Sequence, residues 1–141
     1  MIQRIQTLWF FVCTVCGVAY AYFPIYVAQA IGGLPQKYTI RENLILLSAS
    51  IAMISITFLN IFFFKNRGLQ KLLTITNIML SISIFVLQYF LIEALKKDLG
   101  LTQGSWEISA VLPLFIVAFH IFAFNGIRND EKLLSSVDRM R

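Results

Sequence analysis

Of 141 residues, 58% are hydrophobic and only 13% charged, with a mean hydropathy of +0.76; soluble domains carry roughly a quarter charged residues, so an ordinary soluble protein is excluded. The net charge of +5 does not indicate nucleic acid, because the basic residues flank apolar runs and form no stripe with interleaved aromatics. The length leaves room for one membrane domain, since each crossing takes about 20 residues.

Four apolar runs predict four transmembrane helices, at roughly 5–27, 44–64, 72–92 and 106–125. Each is long enough at 1.5 Å per residue to cross about 30 Å of hydrocarbon. Residues 1–125 therefore form an all-α, antiparallel four-helix transmembrane domain, followed by a tail at 126–141.

The first run carries Cys13 and Cys16 in a C-x-x-C spacing. The spacing is similar to that of thiol redox motifs, including those of four-span disulfide oxidases. Here the pair lies ~12 Å inside the run, with no cation to lower a thiol pKa, and the reading is two small packing residues. Cys13, Gly17 and Ala21 form a small-residue stripe that permits close helix approach. Ala28-Gln29-Ala30 resembles a signal-peptidase site, but the apolar stretch exceeds a normal signal core, and the first run is read as a retained span. Pro24, and Pro113 in the fourth run, are expected to kink or end their helices.

In the second run, Ser48, Ala52 and Ser55 form another small face, expected to pack on a helix. The seven-residue KNRGLQK connection makes the second and third helices antiparallel neighbours. The third run carries Thr74, Asn77, Ser81 and Gln88 on one face. Longer connections broken by Gly32, Gly33 and Pro35, and by Gly100 and Gly104, join the other pairs.

His120 is the one ionisable side chain expected at membrane depth, with Asn60 and Asn77 at a similar level. Such groups make an interhelical hydrogen-bond layer worth around 1 kcal/mol per bond, or line a polar passage. A lone histidine without carboxylates or accessible thiols does not make a metal or cofactor site, and none is expected. Membrane-embedded carboxylates of the kind small multidrug exporters use, phosphate-binding loops and hydrolase motifs are missing from the sequence, so no catalytic residue is assigned and the chain is read as a non-enzyme.

Orientation follows from the basic residues. One side collects Arg4, Lys65, Arg67, Lys71, Arg128, Lys132, Arg139 and Arg141; the other has Lys37, Arg41, Lys96 and Lys97. The positive-inside rule places both termini in the cytoplasm. In the tail, Asn129 is expected to cap a short amphipathic helix bearing Leu133, Leu134, Val137 and Met140 on one side. That side lies on lipid or docks on another protein.

The start MIQRIQT and the end GIRNDEKLLSSVDRMR resemble the two ends of a family of small four-span inner-membrane proteins of the Bacteroidota, a domain of unknown function. The resemblance implies four helices with both ends inside and a bacterial inner-membrane location, and it carries no activity. Its recognisable residues, Gln3, Arg4 and Gln6 with Arg128, Asp130, Glu131, Asp138 and Arg139, belong to the cytoplasmic face. The leading expectation is an accessory or scaffolding subunit of a larger membrane assembly, embedded in the lipid bilayer. Arg4, Arg128, Asp130, Glu131 and Arg139 would supply charge recognition of a membrane or membrane-associated protein, and Leu134 and Val137 apolar anchors. The alternative is a small homo-oligomeric transporter or channel using Asn60, Asn77 and His120.

Overall fold

The computed structural model describes residues 3–28, 35–98 and 104–139, with the side chains of 3–5, 65 and 133–139 outside the description. Its helices are α1 (Gln3–Tyr22), α2 (Leu44–Phe62), α3 (Arg67–Asp98) and α4 (Leu112–Arg139). Three short strands, β1 (Tyr26–Ala28), β2 (Gln36–Tyr38) and β3 (Gly104–Trp106), form an antiparallel sheet in the order β2-β1-β3. Tyr26 pairs with Tyr38 on one side and Trp106 on the other.

Each helix packs on its neighbours in sequence, and α4 closes the ring on α1. The physical basis is a spacing of alternating fours and threes on every helix. Buried positions are 6, 10, 13, 17 and 20 on α1, and 46, 50, 53, 57 and 60 on α2. They are 70, 74, 77, 81, 84, 88 and 92 on α3, whose last step is a second four, and 113, 116, 120, 123, 127 and 130 on α4. A repeat of 3.5 residues keeps one seam facing inward and winds neighbouring helices with a left-handed twist. Gly17 lets α1 and α2 approach closely, since a Cβ there would stand 2.7 Å from Ile54 Cγ1.

The seam is unusually polar. Gln6, Ser50, Thr57, Asn60, Gln70, Thr74, Asn77, Ser81, Gln88, His120 and Asp130 are all buried, while large apolar side chains such as Leu8, Phe11, Phe58, Leu72, Phe90 and Phe122 cover the outside. α2, α3 and α4 are each long and apolar enough to cross a membrane, and Gln6–Tyr22 is a shorter apolar helix.

The first helix stops at Tyr22, short of the expected limit at Val27. Pro24 cannot extend the α1 backbone ladder, and β1 follows at once. Ala28 ends β1, while Gln29, Ala30, Gly32, Gly33 and Gly100 lie outside the described residues. The connections expected as loops thus contribute a sheet whose strands satisfy one another's backbone groups. Pro113 stands in the first turn of α4, where its missing N–H is no loss.

The KNRGLQK connection is tighter than expected. A single 3-10 turn at Phe63–Lys65 leads into α3 at Arg67, and the Asn66 side chain caps the new helix by accepting from Leu69 N at 3.2 Å. At the far end α3 runs on to Asp98, beyond the expected Ile92. Asn43 caps α2, accepting from Ile45 N and Leu46 N.

Two further expectations change. Ser48, Ala52 and Ser55 are exposed on the outside of the bundle among the described residues; the 4-3 spacing turns Ser50, Met53 and Thr57 inward instead. The tail is no separate helix, because α4 runs unbroken through Gly126 and Asn129 to Arg139. Asn129 is therefore a mid-helix residue. Gly126 is kept small by α1, for a Cβ there would meet Gln6 Cγ at 3.0 Å.

Candidate functional site

Two polar clusters occupy the seam on the side of the basic residues. The deeper one joins α2 and α3 through a repeated Thr-x-x-Asn, Thr57 to Asn60 and Thr74 to Asn77. In antiparallel helices the two copies engage reciprocally. Asn77 Nδ2 donates to Thr57 Oγ1 at 2.7 Å, and Asn60 Nδ2 donates to Thr74 Oγ1 at 2.9 Å. Each threonine hydroxyl donates in turn to the carbonyl four residues back, Met53 O at 2.8 Å and Gln70 O at 2.7 Å. Gln70 Nε2 adds a contact to Asn60 O at 3.4 Å.

His120 on α4 meets this arrangement edge-on. Its Nδ1 lies 2.8 Å from Ile116 O; a carbonyl can only accept, so Nδ1 carries the proton and Nε2 is the free acceptor. Asn77 Nδ2 is 3.3 Å and Thr57 Oγ1 3.5 Å from Nε2. Phe10 packs against the ring at 5.9 Å. Cys13 Sγ is 3.4 Å from Nδ1 and 3.8 Å from Ile116 O.

His120 and Asn77 therefore meet, while Asn60 sits one level nearer the basic end, against Thr74 and Gln70. Asn60, Asn77 and His120 are completely enclosed. Cys16 is half-buried, and both cysteines are free thiols. Among the described residues no three metal-ligating His, Cys, Asp or Glu side chains cluster.

The second cluster closes the ring at its basic end. Gln6 Nε2 on α1 donates to Asp130 Oδ2 on α4 at 2.6 Å, and Arg67 Nη1 at the start of α3 stands 4.0 Å from the same oxygen. One level outward, Lys71 Nζ holds both oxygens of Glu131 at 2.9 and 2.7 Å. The Lys71 ammonium keeps the Glu131 carboxyl below the usual carboxylate range. Thus Asp130 and Glu131 tie α4 to α1 and α3, whereas Arg128 is exposed. Arg4, Leu134, Val137 and Arg139 lie on α1 and α4, with side chains outside the description.

Sequence reading singled out neither Thr57 nor Gln70, and it left Gln6 among the recognition residues without a partner. The signal that finds them is the 4-3 spacing, which aligns 57 with 60 and 70 with 74 and 77 on the seam.

An apolar wall around a polar, hydrogen-bonded seam, with three helices long and apolar enough to cross a membrane, makes this a helical bundle consistent with a membrane protein. The chain belongs to the family described as a domain of unknown function, DUF4293, which matches it over residues 2–140. It matches no curated protein and no solved structure.

Proposed function

We propose that the chain is a non-enzymatic protein of the bacterial inner membrane that crosses it four times with both termini in the cytoplasm. In this reading it serves as an accessory or scaffolding subunit and offers its basic end to a protein partner. α1 completes the set as the fourth span, since its 20 residues reach about 30 Å. The eight-to-four distribution of basic residues over the two ends supports the orientation.

The observation that carries the partner reading is the length of α4. Asp130 meets Arg67 at the start of α3, yet α4 continues to Arg139, about 13 Å farther at 1.5 Å per residue. The 4-3 spacing of seam positions 123, 127 and 130 continues to Leu134 and Val137. An apolar seam prolonged past the start of α3 is the kind of stripe a partner helix or groove takes up, and Arg128 on the exposed side supplies charge for recognition.

The test is purification from native membranes in a mild detergent. Wild type is expected in a stoichiometric complex well above the 16.1 kDa of the chain. The double variant Leu134→Asp/Val137→Asp is expected to insert normally and lose the partner. Unchanged co-purification of that variant, or a lone wild-type chain, overturns the reading.

A further inference from the structure

We propose that the end of the bundle carrying the sheet holds a seat for one phospholipid with a primary ammonium headgroup, its chain in a slot between α1 and α4 and its ammonium on the Glu107 carboxylate. The seat rests on the membrane placement proposed above and is independent of the partner reading.

The slot has a volume of about 400 Å³, within the range of small-molecule sites. Ala19 and Phe23 form its α1 wall, and Ile108 and Leu112 the wall where α4 begins. It arises because Pro24 stops α1 at Tyr22, while the returning chain enters α4 through a 3-10 turn at Ile108–Val111. The Ser109 hydroxyl donates to Pro24 O and ties the two walls together. Phe23 and Ile108 are 59% and 84% exposed, so among the described residues the slot stays apolar and open on its outer side. Hydrocarbon fills such a slot without competition from water.

Apolarity alone would take any acyl chain; the charge selects the head. Glu107 continues the extended backbone of β3, at φ −87° and ψ 158°, and successive residues of extended chain point to opposite faces. Trp106 turns to α3, where it stacks on Tyr89, and Glu107 lines the slot on the α1 side. The Glu107 backbone is fixed at both ends, N–H to Ile25 O at 3.1 Å and carbonyl accepting from Ala110 N at 3.0 Å. Its side chain is half-buried and, among the described residues, has neither an ion pair nor a hydrogen bond. On the Trp106 side the smaller cavity, about 200 Å³, has no such group, because Lys96 and Glu93 already pair at 2.7 Å.

A half-buried carboxylate beside apolar walls attracts a cation, and the negative end of the α1 dipole lies at the same place. A primary ammonium brings three N–H donors with its charge; a trimethylated one brings the charge alone. Arg41, held at the same end of α1 by Ala21 O, supplies a cation for the phosphate.

The test is native mass spectrometry of the full chain, released from detergent with equal amounts of phosphatidylethanolamine, phosphatidylglycerol and phosphatidylcholine of identical acyl chains. Wild type is expected to retain phosphatidylethanolamine about fivefold over either of the others. Glu107→Gln keeps the shape, removes the charge and is expected to abolish the preference. Ala19→Phe fills the slot and is expected to reduce retention of phosphatidylethanolamine itself. Equal retention of the three by wild type, a preference for phosphatidylglycerol, or a preference unchanged in Glu107→Gln overturns the seat. Should a variant fail to fold, the wild-type ratio decides. Insertion into phosphatidylcholine vesicles separates the two readings: a chain that inserts but shows no preference loses the seat alone, and one that does not insert loses the membrane placement with it.

Discussion

The two ends of the bundle are held by different chemistry. At the sheet end the chain closes over the helices with backbone pairs and rings: Trp106 packs on Tyr26 at 5.5 Å and stacks on Tyr89 at 6.1 Å. Lys96 reaches over both Tyr26 and Trp106 while bonded to Glu93 at 2.7 Å. Ser109 donates its hydroxyl to Pro24 O, and Arg41 Nε caps the end of α1 at Ala21 O, 3.2 Å away. At the basic half the work falls to side-chain amides and hydroxyls between helices. The difference follows from solvent. Where the chain leaves the bundle, exposed backbone must be paired and amphipathic rings suit an interface. Between helices whose outer walls are apolar, burying more hydrocarbon gives no advantage in lipid, so polar contacts hold the helices together.

Four substitutions, one of them followed across pH and salt, separate these two kinds of glue, most conveniently read as shifts in the denaturing-detergent midpoint. Trp106→Ala removes two ring pairs, each worth roughly 0.5–1.5 kcal/mol, together with the cation contact of Lys96. A loss of about 2 kcal/mol is expected, with the His120 environment unchanged by NMR. A larger disturbance at His120 than at the sheet would show that the ends are not separable.

Thr57→Val preserves shape and deletes the hydroxyl that accepts from Asn77. It is expected to cost about 1 kcal/mol, in the range of interhelical hydrogen bonds in membranes. Thr74→Val is expected to cost the same because the two copies are related by the reciprocal pairing. Strongly unequal losses would break that symmetry.

The smallest effect is pH-dependent. Glu131 has its carboxyl lowered by Lys71, so the stability it contributes is present above the unfolded-state pKa and is lost as pH falls through the lower folded value. Wild type should approach Lys71→Ala in stability on acidification, and added salt should narrow the difference at neutral pH, since the pair is exposed. A difference that persists in acid would point to packing of the lysine stem instead.

Composition alone determined that this chain needs an apolar surrounding, and run lengths alone located four helices, because a helix able to cross hydrocarbon demands about 20 apolar residues. The polar face of α3 was legible too, since Thr74, Asn77, Ser81 and Gln88 share a helical phase. Pairing between helices was not legible: nothing local states that Asn77 reaches Thr57 rather than Ser48, or that Gln6 meets Asp130 across 124 positions. Tertiary structure decided those contacts, because a ring of four helices in 3.5-residue register fixes levels that no single helix encodes. It decided likewise that three-residue strands form at the sheet end, where each is too short to be stable without the other two, and that α4 runs on through Gly126, where the absent side chain makes room for Gln6.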